Sequence, residues 1–410
     1  MKILQINSSD YSDGGGGAIA MHRLAQGLRA SGLDCKILSG VKTTDLAWSR
    51  QIYRKPKLEA RIKKWTSKAG FNDLHCVSSF ELTKDEFYLD ADIINFHVIH
   101  SSFFSYLALP KLTKIKPGIF TLHDMWSLTG HCAYSYDCNR WKTGCGQCPY
   151  PDIYPSIRHD STRWEWKLKD WVYSRSSLTI VTPSRWLTKQ AKSSMLGHLQ
   201  IHHIPYGIDT NAYQPLNPDL CRFALGIPLN KRVLLFSSDN LKDSRKGGDL
   251  LVKALQQLPP SLKQECVLLT FGRRTALIEA AVDMEEIHLG YITSDRLKSV
   301  AYSAADLFIF PTRADNLPLV LQEGMACGTP MVSFDIGGVS DLVRPGVTGY
   351  LAQPEDTDDF CQGIVDLLED DEKRQAMGEN CRRIALEDYA LELQAERYQR
   401  LYEQVLAREH

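Results

Sequence analysis

Two carboxylates, Asp315 and Glu323, frame the segment of this chain whose residue types and spacing best suit chemistry on a ligand. An apolar strand, Asp306 to Pro311, runs into a loop with Asp315 and Asn316. A helix starting near Leu319 carries Glu323, and a second short strand, Pro330 to Phe334, follows Gly328. In an open α/β sheet, the loop after a strand and the first turn of the next helix face the ligand crevice. Amides at that helix N-terminus favour an anion, and a carboxylate one turn in accepts hydrogen bonds from hydroxyls. The arrangement suits a ligand bearing both a phosphate and a sugar.

Three further groups stand at comparable places. Ser244-Arg245-Lys246-Gly247-Gly248 follows a predicted strand and precedes a predicted helix, so two cations lie beside glycines where a diphosphate would bind. Gly14 to Gly17 separate the first strand, Lys2–Asn7, from a helix expected from Ala18 to about Ser31. Without Cβ atoms that backbone can offer N–H groups to phosphate, or it can form a mobile turn. It does not spell the G-x-G-x-x-G dinucleotide fingerprint. His123 ends a strand predicted over Gly118–Leu122 and is followed by Asp124. A histidine there is either structural or a residue of the cleft.

Four of the eleven cysteines, Cys132, Cys138, Cys145 and Cys148, fall within one short stretch. In a reducing compartment C-x2-C with two more nearby cysteines points to metal before disulfides. Four thiolates suit a structural zinc, an iron–sulfur cluster is chemically open, and four reduced cysteines in an ordered loop is the plain alternative. The loop follows His123 directly and would shape the acceptor side of a cleft.

The stretch Phe310 to Val332 resembles the acidic-x7-acidic motif of the GT4 family of retaining GT-B glycosyltransferases, the group 1 enzymes of polysaccharide assembly. That family usually has Glu at both ends, whereas Asp315 stands first here. The likeness continues through Gly337-Gly338-Val339-Ser340-Asp341 and Gly346-Val347-Thr348-Gly349, covering most of 205–350 and the first half more loosely. It implies transfer of a sugar from a nucleotide diphosphate donor to a hydroxyl acceptor, without a catalytic metal or other cofactor. Glu323 would accept from ribose hydroxyls. Asp315 would accept from a sugar hydroxyl, beside the amides of Asn316 and Leu317. Lys246 would grip the diphosphate. Many members carry an Arg about six residues earlier, where this chain has Asn240, and Arg245 is the candidate to compensate. Gly15, Gly16 and Gly17 match the family's glycine-rich loop, and Gly272 and Tyr291 lie where the nucleotide base is read. Thr121-Leu122-His123-Asp124 resembles the segment that touches the transferred sugar, so His123 joins Asp315 and Lys246 as a residue of the reaction, with a positioning role. The family's front-face mechanism leaves the departing phosphate to take the acceptor's proton.

The elements that must hold these residues form two α/β halves. With 410 residues, two domains are the natural prior. Strands are expected at Cys35–Ser39, Ile93–Val98 and Leu178–Thr182 in the first half. In the second they are expected at Arg232–Ser237, Val267–Phe271, Ile287–Leu289, Leu307–Phe310 and Met331–Phe334. Helices are expected at Trp164–Ser174, Arg185–Ser194, Gly248–Leu258, Asp295–Ala304, Leu319–Ala326 and Asp358–Leu368. Alternation of this kind implies parallel, doubly wound sheets. The domains expected are 1–204, with the cysteine-rich insert at 131–149, and 205–390. Beyond Asp371 the chain reads as helix to its end, and the family sends the last helix, 391–410, back to the first domain. The fold class is α/β, a GT-B pair of Rossmann-like domains facing across a cleft.

Composition supplies the setting. The net charge of −1 hides a basic half, +10 over residues 1–200, and an acidic half, −11 over the rest; all eight tryptophans lie in the basic half. No nucleic-acid motif accompanies the charge. Arg50 to Lys68 holds eight basic residues and one acid, with Trp48, Tyr53 and Trp65 interleaved or adjacent. Such a segment suits an anionic membrane surface or a solvated helix. The start lacks a signal-peptide layout, and the expected location is the cytoplasm, peripheral on the inner face of the membrane. A lipid-linked glycan precursor is one acceptor this suggests. The rival readings are a GT-B sugar-nucleotide epimerase and a catalytically weak scaffold that binds a partner or membrane.

Overall fold

A computed structural model of the chain describes residues 1–11, 15–240, 243–273 and 283–408. The short aliphatic runs become strands buried on both faces, as parallel sheets require, and all the strand pairings are parallel. Strands β1 (Lys2–Ser9), β2 (Asp34–Val41), β3 (Ser49–Gln51), β4 (Ile93–Phe96), β5 (Gly118–Thr121), β6 (Leu178–Thr182) and β7 (Gln200–His203) form one sheet, in the order β3-β2-β1-β4-β5-β6-β7. Strands β8 (Arg232–Asn240), β9 (Cys266–Arg273), β10 (Glu285–His288), β11 (Leu307–Phe310), β12 (Met331–Phe334) and β13 (Gly349–Ala352) form the other, in the order β10-β9-β8-β11-β12-β13. The chain divides into two compact units, Met1–Gly207 with the segment from Leu391 onward, and Ile208–Ala390.

In each sheet one place has the winding reverse. It falls between β1 and β4 in the first and between β8 and β11 in the second. Loops leaving the carboxyl ends of such a pair diverge to opposite faces and open a ligand crevice. The residues that follow β1, β4, β8 and β11 therefore stand at these crevices.

Some elements differ from expectation. The first helix spans Gly15–Ala30, so Gly15, Gly16 and Gly17 make its opening turn instead of a free loop; Gly14 lies outside the described residues. Strands β3 and β7 are edge strands with little apolar content, and the edge strand β13 is only four residues long, which is why sequence alone passed over them. The single helix expected after Asp371 is two, Asp371–Asp388 and Leu391–Ala407. The break at Tyr389 and Ala390 is where Ile208 joins in, its N–H donating to Tyr389 O at 2.8 Å.

The Leu391–Ala407 helix buries Ala395, Tyr398, Leu401, Tyr402 and Val405 in the same core as Ile3, Met21, Leu24, Leu28 and Ile93. Each large apolar side chain so buried contributes about 1.5–3 kcal/mol. Its two tyrosines also reach the sheet's polar interior. Tyr402 Oη accepts from Asn95 Nδ2 at 3.1 Å, and Tyr398 Oη lies 2.9 Å from Thr121 Oγ1. No helix among the described residues is long and apolar enough to cross a membrane.

Candidate active site

The loops after β8 and β11 bring Arg245, Lys246 and Asp315 together at the second sheet's switch point. Lys246 Nζ lies 2.8 Å from Asp315 Oδ2, and Arg245 Nη1 lies 3.2 Å from the same oxygen. Arg245 also donates to Ala314 O at 2.9 Å and pairs with Asp243 at 3.1 Å. Burial alone would raise the Asp315 carboxyl, but the Lys246 and Arg245 charges overcome it and hold the carboxyl below its ordinary value. Burial lowers the Lys246 ammonium more than Asp315 raises it. Two positive charges thus meet on Asp315, with Asp243 as a second partner of Arg245, and the three side chains remain 13–22% exposed. An anion of higher charge has reason to bind there.

Backbone packing fixes this cluster. Gly247 has φ +69°, and a Cβ on it would stand 1.8 Å from Pro311 O, so only glycine lets the Arg245–Lys246 turn lie flat on the end of β11. Gly337 does the same for Asp315: φ is +59°, and a Cβ would meet Asp315 O at 2.0 Å. The neighbouring Gly338 N–H donates to that carbonyl at 3.1 Å.

Sequence reasoning missed Arg313. Its guanidinium makes a bidentate pair with Asp249, both contacts 2.7 Å, in the first turn of the Gly248–Gln257 helix. It also reaches Ser244 O at 2.7 Å and Glu355 at 3.1 Å, while its backbone N–H donates to Arg245 O at 2.8 Å. Arg313 therefore pins the cation-bearing turn from behind. Its place two residues before Asp315 was the one available signal.

The Leu319–Ala326 helix begins where the pattern predicted. Asn316 and Leu317 are buried in the turn before it. Glu323 is 3% exposed and accepts from Tyr302 Oη at 3.2 Å, so its carboxylate is already oriented. Tyr291 follows β10, half exposed, with the Arg273 guanidinium 5.7 Å from its ring centre.

In the first sheet, His123 follows β5 beside the loop after β4. A Cβ on Gly17 would come within 2.8 Å of Val98 Cγ2 and 3.2 Å of His123 Cγ, so the opening helical turn packs on the histidine. Both His123 ring nitrogens are engaged, Nε2 with His97 Nδ1 at 2.9 Å and Nδ1 with Tyr206 Oη at 2.7 Å. His97 Nε2 must donate to Gln5 Oε1, 2.6 Å away, because an amide oxygen only accepts. That leaves His97 Nδ1 to accept from His123 Nε2–H, and His123 Nδ1 to accept from Tyr206. Burial pushes His123 down to about 4 and His97 well below its ordinary value, so both rings are neutral. Alongside, His100 Nε2 lies 3.0 Å from Asp124 Oδ2, and Asp124 also accepts the Trp126 N–H at 2.8 Å. His97, His100 and Gln5 escaped the sequence reading because their partners lie far along the chain.

Cys132, Cys138, Cys145 and Cys148 share one loop. Among the described residues no three or more His, Cys, Asp or Glu are grouped as a metal site. Within the loop, Gly130 N–H donates to Cys145 Sγ at 3.2 Å, and His131 Nε2 lies 3.2 Å from Cys148 Sγ. Burial raises the Cys132 thiol to about 12 and Cys145 to about 11, favouring S–H over thiolate.

Residues 219–384 match the family described as Glycosyl transferases group 1, and residues 14–212 match Glycosyltransferase Family 4. The chain belongs to these group 1, family 4 glycosyltransferases. Among curated relatives, WcaC of Escherichia coli (strain K12), provisionally named a colanic acid biosynthesis glycosyl transferase, is 29% identical over 265 residues, 62% of each chain. A GDP-mannose-dependent monoacylated alpha-(1-6)-phosphatidylinositol monomannoside mannosyltransferase of Corynebacterium glutamicum is 28% identical over 52% of this chain and 59% of its own. Across the first three such relatives the chain spans 46–62% of their length. Among solved structures, sucrose-phosphate synthase from Thermosynechococcus elongatus superposes with TM-score 0.72 at 19% identity, covering 99% of this chain and 100% of its own. Anabaena HepE in complex with UDP gives TM-score 0.67 at 17% identity over 98% and 100%. These likenesses establish the fold as GT-B, two Rossmann-like domains.

Proposed function

We propose that this family 4 protein is a retaining glycosyltransferase that moves a sugar from a nucleotide diphosphate sugar to a hydroxyl of a glycan or lipid-linked glycan precursor. The observation that carries the reading is the convergence of Arg245 and Lys246 on Asp315 at the switch point between β8 and β11. Lys246 and Arg245 bind the diphosphate and stabilise the charge that grows on it as the sugar departs, a task worth about 3–4 kcal/mol per well-aimed donor. Asp315 accepts from a sugar hydroxyl, and Glu323, steadied by Tyr302, accepts from the ribose. The Asn316 and Leu317 amides approach the donor, and Tyr291 lies by the base. A UDP complex of HepE and a GDP-mannose-dependent relative support a nucleotide sugar as donor.

His123 orients the sugar and takes no proton, since its Nδ1 lone pair is held by Tyr206 and its Nε2–H by His97. In the front-face mechanism of family 4, the leaving diphosphate is the proton acceptor, and the acceptor hydroxyl attacks from the face the diphosphate leaves. The enzyme works at the inner face of a membrane. Supporting this, the basic Pro56–Thr66 helix and its flanks expose Tyr53 and Trp65 at 74% and 75%, and Trp164 is 63% exposed.

The test is proton NMR of reactions holding UDP- or GDP-sugars and synthetic alkyl glycosides. Retention predicts products with the donor's anomeric configuration and release of nucleoside diphosphate. An inverted product, or epimerised donor with no transfer, would overturn the reading.

A further inference from the structure

The pairing that marks the diphosphate site also poses a problem for it. Both cations meet a single oxygen, Asp315 Oδ2, with Thr312 Oγ1 at 3.5 Å from the same atom. The anion that would be expected to help bind the donor is, in the free protein, competing for its two phosphate-binding groups. The carboxylate cannot drift off. Its backbone is fixed by Gly337 and Gly338, so it faces the cations at the high effective concentration of a tethered ligand.

We infer that Asp315 acts as an internal counter-anion that loosens the spent nucleoside diphosphate, favouring sugar-bearing donor over product; this rests on the donor-site reading above. The logic is an exchange of partners. When donor is bound, hydroxyls of the sugar donate to the Asp315 carboxylate, and Lys246 and Arg245 are given over to the phosphates. Once the sugar has left, the carboxylate has lost those donors and returns to the cations. The same two cations then hold the product with part of their charge already neutralised. A site whose contacts differ between the donor and product states discriminates between them, whereas contacts common to both do not.

The conformation of the cation-bearing turn does not depend on Asp315. Arg313, Thr312 and Gly247 hold it through Ser244 O, Arg245 O and the end of β11. Removing the Asp315 charge therefore leaves the turn in place, frees Lys246 of its carboxylate partner and leaves Arg245 with Asp243 alone. That leads to an outcome opposite in sign to ordinary damage at a binding site.

The experiment is calorimetric titration of the full chain with UDP, GDP, ADP and TDP, comparing wild type with Asp315→Asn. For the nucleotide that wild type binds, the variant should bind at least tenfold more tightly, with a steeper loss of affinity on adding salt. Transfer should fall at the same time, with stronger inhibition by that nucleotide. Asp315→Glu keeps the charge and should stay within about threefold of wild type for the nucleotide. In Arg245→Gln the effect of Asp315→Asn should shrink, because one cation remains to be released. If Asp315→Asn does not fold, Asp315→Ser removes the charge with a smaller side chain and carries the same expectation. Equal or weaker nucleotide binding by the neutral variants overturns the inference while leaving the donor site standing. No binding of any of the four by wild type overturns both.

Discussion

The two switch points of this protein carry polar clusters built on opposite principles. After β8 and β11, Lys246 and Arg245 converge as ions on Asp315, with about a fifth of each cation exposed. After β4 and β5, His97 and His123 are neutral and spend both ring nitrogens on each other, Gln5 and Tyr206. The first arrangement is ready for an anionic ligand. The second is a satisfied hydrogen-bond chain that fixes where a ring sits. The contrast assigns charge stabilisation to one sheet edge and positioning to the other.

The largest effect should come from breaking the charged cluster. Lys246→Ala should lower transfer about 10²- to 10³-fold, roughly 3–4 kcal/mol in the transition state, measured as kcat/KM with saturating acceptor. His123→Gln should cost distinctly less, because it disturbs orientation only. Equal losses would erase the distinction between the clusters.

The neutral cluster makes its own prediction through pH. His97 and His123 titrate in the folded protein below the unfolded value of 6.5, His123 at about 4. The unfolded chain therefore binds protons first as pH falls. Their contribution is complete above pH 6.5 and is lost as pH drops toward 4, at up to about 1.4 kcal/mol per pH unit for each ring. Denaturant melts across that range should show the loss, and His97→Gln should flatten it. An unchanged slope in that variant would mean that His97 is not held neutral.

Smaller effects sharpen the supports. Arg313→Ala should weaken nucleotide binding about tenfold by freeing the Ser244–Lys246 turn. Arg313→Lys should not restore it, since an ammonium cannot reproduce the bidentate contact to Asp249. Full rescue by lysine would reduce Arg313 to a generic charge. Smallest of all, Trp65→Ala should reduce co-sedimentation with phosphatidylglycerol vesicles by about 1 kcal/mol or less, and the wild type should ignore phosphatidylcholine vesicles. Equal binding to both would remove the membrane proposal.

What could be read from sequence followed from how locally each feature is encoded. The Leu319–Ala326 helix and β11 came out with their predicted bounds because an apolar strand, a turn and a helix are written consecutively there. Arg245, Lys246 and Asp315 could be named for the same reason, as residues just beyond strand ends. That they meet on one carboxylate oxygen could not, since 69 and 70 residues separate them along the chain. His97 to Gln5 spans 92 residues and Arg313 to Asp249 spans 64, and neither partner advertises the other. Cysteine spacing is silent on the local partners of the sulfurs, such as the Gly130 amide at Cys145 and the His131 imidazole at Cys148. The glycine run was read as a loop because glycines rarely begin a helix, yet Gly15 to Gly17 form the opening turn, with Gly17 packed against His123.

The central claim is that Lys246 and its neighbours form a nucleotide diphosphate site. Thermal unfolding of the pure protein with UDP, GDP, ADP and TDP, beside Lys246→Ala, tests it most directly. A nucleotide at 100 times its Kd should add about 2.7 kcal/mol of stability. Tm should rise clearly with one of the four, and the rise should vanish in Lys246→Ala. A rise that survives the substitution, or no rise with any of them, would contradict it.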